Sequence, residues 1–400
     1  MTTDIRITPI RASGRIPEEA SLFGTAAARI VRRFHRSIPG YAPTPLHALD
    51  HLAGHCGLAR FWVKDESFRF GLNAFKSLGG TRCIAAVMAE RLGLDPDEAD
   101  YAVLSSSESR ERLGDLTFIT ATDGNHGRGV AWAAKLFGMK SVVYMPAGSA
   151  AERLENIRRL GASADITGVN YDDTVRFAAS EAERCGYILT QDTAWPGYER
   201  IPSLIMQGYL TMADEAVESL DGEVPTHVFL QAGVGSMAGA LAAYFADRFG
   251  DERPIVTIVE PHAADCIYRT AEADDGRLHA VTGAMKSIMA GLCCGEPCTT
   301  AWKLIREYAD FSASMPDSTA AKGMRVLGNP LPGDPAVTSG ESGASGAGLV
   351  AELMMNPGSE AQRRQLGLGA DSRVLCFSTE GATDRANYRS IVWDGLFPSF

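Results

Sequence analysis

The 400-residue sequence has no apolar run long enough to cross a bilayer, which argues against a helical membrane protein. Its first six residues lack the apolar core of a secretory leader, so a cytoplasmic location is expected. Positive charge is in deficit: the formal net charge is −11. No basic footprint for nucleic acid is present, and electrostatic attachment to anionic lipid is disfavoured. Paired cysteine spacings are missing as well. The eight cysteines are scattered, as in a reduced cytoplasmic protein without a disulfide framework. Cys293, Cys294 and Cys298 lack the second set that a zinc site would need. His47, His51 and His55 recur every four residues and would share one helix face. No further ligand stands at a known spacing from them, so a polar face is expected rather than a metal site. Internal repeats and heptad runs are also absent.

What is present is a composition able to bury a full core, with 45% hydrophobic residues and 41 glycines. Short β-branched runs alternate with Ala-rich amphipathic stretches. The strand-like runs are 61–63, 117–120, 141–145, 186–190, 226–230, 255–259 and 373–377. Helical stretches include 128–137, 151–160 and 205–220. This alternation predicts the α/β class, with mostly parallel sheets flanked by helices and joined by right-handed crossovers. The Ser-rich stretch 104–112 reads as an exposed loop and a subdomain boundary. The stretch 328–348 starts as a loop, and its 340–346 part is placed to open a tightly packed helix.

Three segments carry chemistry. In Asn73-Ala74-Phe75-Lys76-Ser77-Leu78-Gly79-Gly80, a lysine sits among apolar and small residues. Burying an ammonium is costly, and a lysine that sheds its proton is a nucleophile for carbonyl groups. A lysine whose stem lies over apolar neighbours explains the segment equally well. The second segment, Gln231-Ala232-Gly233-Val234-Gly235-Ser236-Met237-Ala238-Gly239, lies between a strand and an Ala-rich run. Its amides can converge on a phosphate at a helix N-terminus, and a side chain at Gly235 would then obstruct the approach. Gly233, Gly235 and Ala238 also fit a dinucleotide fingerprint, with Glu260 as the ribose-binding acid, so a nicotinamide-dependent oxidoreductase is a rival. The third segment is Thr122-Asp123-Gly124-Asn125-His126-Gly127-Arg128-Gly129. Asn125 offers an amide, and Thr122 with nearby N–H groups can hold a carboxylate. Asp123 is either a helix cap or an acid with a task, and His126 reads as a helix-start histidine without a catalytic role.

Together, in this order, the segments resemble the fold-type II pyridoxal phosphate enzymes, the tryptophan synthase β-like family that includes serine and threonine dehydratases. Within that family, the runs around Lys76 and Asn125, with Gln191-Asp192-Thr193-Ala194-Trp195 and Ser378-Thr379-Glu380-Gly381, resemble diaminopropionate ammonia-lyases from about residue 44 to 393. The polar stretch 104–114 looks like an insertion.

The resemblance implies pyridoxal 5'-phosphate held on Lys76 as a Schiff base, with Phe75 and Asn125 beside it. Gly233, Val234, Gly235, Ser236 and Met237 would grip its phosphate, and Ser378 or Thr379 would meet its ring nitrogen. Thr122, Asp123, Gly124, Asn125 and Asp192 would bind the substrate. It further implies α,β-elimination of D- and L-2,3-diaminopropionate to pyruvate and two ammonia. Asp123 would take the α-proton of the D-isomer and Asp192 that of the L-isomer; taken alone, Asp192 reads as an Asx turn. A serine or threonine dehydratase of the same fold is the alternative. A homodimer without nucleic-acid or membrane partners is implied. The expected domains are a large discontinuous one (1–90 and 201–400), a small α/β one (116–200) that moves on substrate binding, and a connecting segment (91–115).

Overall fold

The computed structural model describes residues 4–122 and 124–398. Its strands are β1 (Arg6–Pro9), β2 (Leu46–Ala48), β3 (Arg60–Asp65), β4 (Thr117–Ala121), β5 (Lys140–Met145), β6 (Ser163–Ile166), β7 (Ile188–Leu189), β8 (His227–Gln231), β9 (Ile255–Pro261), β10 (Phe311–Met315) and β11 (Arg373–Ser378). They form two sheets. The larger has the order β1-β10-β9-β8-β11-β3-β2, and the smaller β6-β5-β4-β7. Every pairing in the smaller sheet is parallel. In the larger sheet the five inner strands are parallel, and only the edge strands β1 and β2 run antiparallel.

Successive strand residues point to opposite faces. Val228 and Leu230 therefore join one core with Tyr209 and Phe245, while Phe229 joins another with Val259 and Leu349. Helices cover both faces, which is why these strands read as continuous apolar runs. The fold is the fold-type II α/β arrangement expected above.

Several local expectations need correction. The stretch 104–112 is not a loop. It contributes to two short helices, Tyr101–Leu104 and Ser107–Leu113, started by the side chains of Asp100 and Ser106. Serine-rich composition concealed these caps. The three histidines do not share a face, because His47 lies on β2 while His51 and His55 lie on the helix Asp50–Cys56. No cluster of metal-ligating residues occurs among the described residues. Among them, too, no helix is long and apolar enough to cross a membrane.

The helix Lys76–Arg91 positions the site. It is buried along most of its length. On one side Gly80 meets Gly129: a Cβ on Gly129 would lie 2.7 Å from the backbone carbonyl carbon and oxygen of Lys76. On the other side Gly208 of the helix Arg200–Ser219 meets Gly79, where a Cβ would lie 2.3 Å from the Leu78 carbonyl oxygen. Side-chain-free contacts thus clamp the helix between two neighbours, and its first residue is Lys76.

Candidate active site

Lys76 Nζ donates to Asp192 Oδ2 at 2.5 Å. The ammonium lies 5.3 Å from the Phe75 ring centroid and 5.6 Å from that of Tyr209. Burial by itself would raise the Asp192 carboxyl. The Lys76 ammonium, donating to Oδ2, outweighs it and holds the carboxyl below its ordinary range. Asp192 is therefore ionised at neutral pH. Its backbone carbonyl accepts from Ser236 Oγ at 2.6 Å, which ties it to the glycine turn.

That turn follows β8. Gly235 has φ of +94°, a left-handed value that favours glycine, and it caps the helix Ser236–Phe249. The first N–H groups of this helix have no intrahelical acceptor, so they form an anion-binding end. The expectation that a side chain at Gly235 would only obstruct a phosphate needs correction. A Cβ there would point into the apolar core, 2.9 Å from Ile305 Cδ1 and 3.3 Å from Ile267 Cδ1. Gly233 approaches a different wall, where a Cβ would lie 3.1 Å from Cys294 Sγ and 3.3 Å from the Gly291 carbonyl oxygen.

The third segment packs around Thr122. Its Oγ1 accepts from the backbone N–H groups of Gly124 and Gly127 at 2.9 and 3.0 Å. Asn125 Nδ2 donates to the Glu380 carboxylate, whose other oxygen accepts from Ser342 N at 3.2 Å. Asp123 lies outside the described residues.

One cavity brings these segments together. Phe75, Lys76, Thr122, Asn125, Asp192, the turn from Gly233 to Met237, and Thr379 all line it. Ser378 and Gly124 do not. Ser378 Oγ is buried and donates to Ser339 Oγ at 2.8 Å, whereas Thr379 lines the cavity and its Oγ1 accepts from Gln231 Nε2 at 2.9 Å. Glu380 lines the cavity too, while Glu341 turns away to accept from Asn387 Nδ2. Burial, with Glu380 nearby, pushes Glu341 up to about 7.

Sequence reasoning missed His126, Gln231, Ser342 and Tyr209 around the site. His126 could have been found, because it follows Asn125 directly in a motif loop. Gln231 opens the glycine segment, Ser342 lies in the 340–346 run and Tyr209 on the helix Arg200–Ser219, but none of them was given a role.

The lining tests whether pyridoxal phosphate fits. Two buried polar atoms on the wall, Gln231 Oε1 and Ser342 Oγ, have no hydrogen-bond partner among the described residues. Such atoms are costly unless a polar group meets them. A lysine amine, an anion-binding helix start and a polar rim suit an aldehyde, a phosphate and a ring with polar edges. The nicotinamide reading fares worse. Glu260 is fully buried, and its two oxygens accept from Ile267 N at 2.8 Å and Tyr268 N at 2.7 Å, so the acid is engaged in capping a helix.

A family model described as pyridoxal-phosphate dependent enzyme matches residues 38–359. Diaminopropionate ammonia-lyase of Salmonella typhimurium is 50% identical over 379 residues, which cover 94% of this chain and 94% of that one. The crystal structure of holo diaminopropionate ammonia lyase from Escherichia coli superposes with a TM-score of 0.92 at 46% identity, covering 100% of this chain and 99% of that one. The same enzyme in complex with D-serine gives a TM-score of 0.92 at 46% identity, covering 99% and 98%. With this coverage, and with a cavity whose residues suit the cofactor, the chain belongs to the pyridoxal-phosphate-dependent enzymes, in their diaminopropionate ammonia-lyase group.

Proposed function

We propose that the chain eliminates ammonia from D- and L-2,3-diaminopropionate, giving pyruvate and a second ammonia. The observation that carries this reading is the Lys76–Asp192 contact of 2.5 Å inside the cavity that the glycine turn closes. A dehydratase expels a neutral hydroxyl and has no use for an ionised acid beside its lysine. A substrate with a β-ammonium does.

Bound there, pyridoxal phosphate supplies an aldehyde carbon for an amine and a ring that draws off the charge left at the α-carbon. Lys76 is the amine that holds it and that the substrate's α-amine displaces. Asp192, ionised and freed of the ammonium once Lys76 is engaged, takes the α-proton of the L-isomer. Asp123 takes that of the D-isomer. Thr122 and Asn125 hold the substrate's carboxylate end, Gly124 shapes their loop through its N–H bond to Thr122 Oγ1, and the amides from Gly233 to Met237 hold the phosphate. Thr379 is favoured over Ser378 for the ring nitrogen, because Thr379 lines the cavity and Ser378 does not.

The reading assigns residues 1–90 and 201–400 to a large domain and 116–200 to a small one, with 91–115 connecting them. The division of strands between the two sheets supports this. A cytoplasmic homodimer completes the proposal.

The test is a substrate panel on the purified protein: both diaminopropionate isomers, serine, threonine and NAD(P)-linked alcohols. The protein should show a visible absorbance band that borohydride abolishes, and pyruvate should form fastest from diaminopropionate. A colourless protein, or one that turns over serine faster, would overturn the reading.

A further inference from the structure

His126 is 3% exposed and lies beside the Lys76–Asp192 pair. Its Nε2 is 2.8 Å from the Thr190 carbonyl oxygen. A carbonyl only accepts, so Nε2 carries the proton and Nδ1 holds a lone pair. That Nδ1 has no hydrogen-bond partner, and it lies 3.6 Å from Asp192 Oδ2, the oxygen that also receives Lys76 Nζ. A lone pair facing an ionised carboxylate is a mismatch. It becomes a match once the carboxyl carries a proton, because Oδ2–H can then donate to Nδ1. The geometry therefore favours protonated Asp192 at the moment the ammonium no longer competes.

We propose that His126 Nδ1 is a proton station behind Asp192, sharing the proton that Asp192 Oδ2 removes from the substrate. This deepens the function proposed above and rests on that reading. In the step, the α-carbon–hydrogen bond breaks, its electron pair stays with the carbon, and an Oδ2–H bond forms. Nδ1 then accepts from that O–H, or takes the proton outright, until the product ammonia or solvent removes it. No oxidant or other co-reactant is needed.

Among the described residues, the charged and titratable groups facing the pair are few. Lys76 comes from the helix Lys76–Arg91, Tyr209 from the helix Arg200–Ser219, and Tyr198 from the turn after β7. Burial holds both phenols well above their ordinary range, so they stay neutral. Burial also lowers His126, and the nearby lysine adds to this, although Asp192 opposes it. The ring is thus neutral and able to accept. As a residue acting through Asp192, His126 is a positioning residue.

Two variants separate this role from a structural one. Gln at 126 can keep a donor to Thr190 but loses the acceptor near Oδ2. Asn at 126 keeps an acceptor near the Nδ1 position but loses the bond to Thr190. In purified holoprotein, His126→Gln should lower kcat/KM for L-diaminopropionate by roughly 10–100-fold, less than the ~10²–10⁴-fold of a direct base, because it acts through Asp192. The acid limb of its pH profile should move to lower pH, since the proton on Asp192 loses its partner. His126→Asn should recover much of the rate. A readout independent of turnover is ¹⁵N-histidine NMR of the holoprotein, in which His126 should be protonated on Nε2 and not on Nδ1 at pH 7. An unchanged acid limb in His126→Gln, a loss in Asn as deep as in Gln, or a proton on Nδ1 would overturn the proposal. Full L-isomer activity in Asp192→Asn would instead defeat the underlying assignment of the base.

Discussion

At the scale of single residues, Lys76 and Asp192 form one unit, and each should fail in its own way. Lys76→Ala removes the amine proposed to hold the cofactor. It should give a colourless protein that forms no pyruvate; a band still reducible by borohydride would refute the assignment. Asp192→Asn keeps the shape and removes a base, a change that typically costs about 10²–10⁴ in rate. The loss should fall on the L-isomer, and Asp123→Asn should affect the D-isomer alone. Equal losses for both isomers in each variant would mean that the acids only bind the β-ammonium. Much of this site was legible in the sequence. Lys76, Asn125 and the glycine turn stand where helices open, and the resemblance to a known family singled them out together with Asp192, which alone reads as an Asx turn. Gln231 and Ser342 lie in segments the sequence singles out, but their place on the cavity wall was not legible, because it is set by how distant elements pack.

At the scale of elements, the informative contact is Gly80 against Gly129. A Cβ on Gly129 would lie 2.7 Å from the Lys76 carbonyl group, and neither backbone can yield without moving the other. Gly129→Ala should cost roughly 1–3 kcal/mol of stability by overpacking and lower cofactor occupancy, because the strain falls on Lys76 itself. Gly54→Ala is the control. It sits in a helix with nothing within 4 Å of the added methyl, and Ala is the better helix former, so stability should hold or rise. Thermal unfolding and visible absorbance of both variants decide the matter; equal behaviour would remove the contact from the account. The inner parallel strands β3, β8, β9 and β11 were readable as apolar runs. Strands β1 and β2 are short edge strands, and β10 alternates serine with apolar residues, so local pattern gave too little to find them.

At the scale of the whole molecule, a buried ion cluster joins the segment before Lys76 to the helix Arg200–Ser219. Glu215 accepts from Lys64 Nζ at 2.7 Å and from Arg69 Nη1 and Nη2 at 2.8 and 2.7 Å. Arg69 also donates from Nε to Glu66 at 2.8 Å. Burial would raise the Glu215 carboxyl, but Arg69 and Lys64 outweigh it and bring it to about 2. A carboxyl lowered on folding stabilises above its unfolded value, near 4.5, and that contribution is lost as pH falls through about 2. Glu215→Gln leaves two buried cations without their shared partner and should cost about 3–5 kcal/mol at pH 7. Urea midpoints between pH 2 and 7 should show the gap from the parent protein narrowing toward the acid end. A gap that stays constant to pH 2 would show that shape, not charge, sets the loss.

The glycine clamp on the helix Lys76–Arg91 also has a mechanical meaning. A rod gripped backbone to backbone on both flanks behaves as an axle, and Lys76 stands at its end, close to the line of no displacement. If the smaller sheet turns about that axle, the lever arm decides how far each part travels. The edge strand β6, and the turn at 146–150 that borders a second, wider cleft, would sweep a longer arc than anything packed against the axle. The amine at the pivot would hardly shift. A molecule built this way can open and shut its mouth while its reactive nitrogen keeps station.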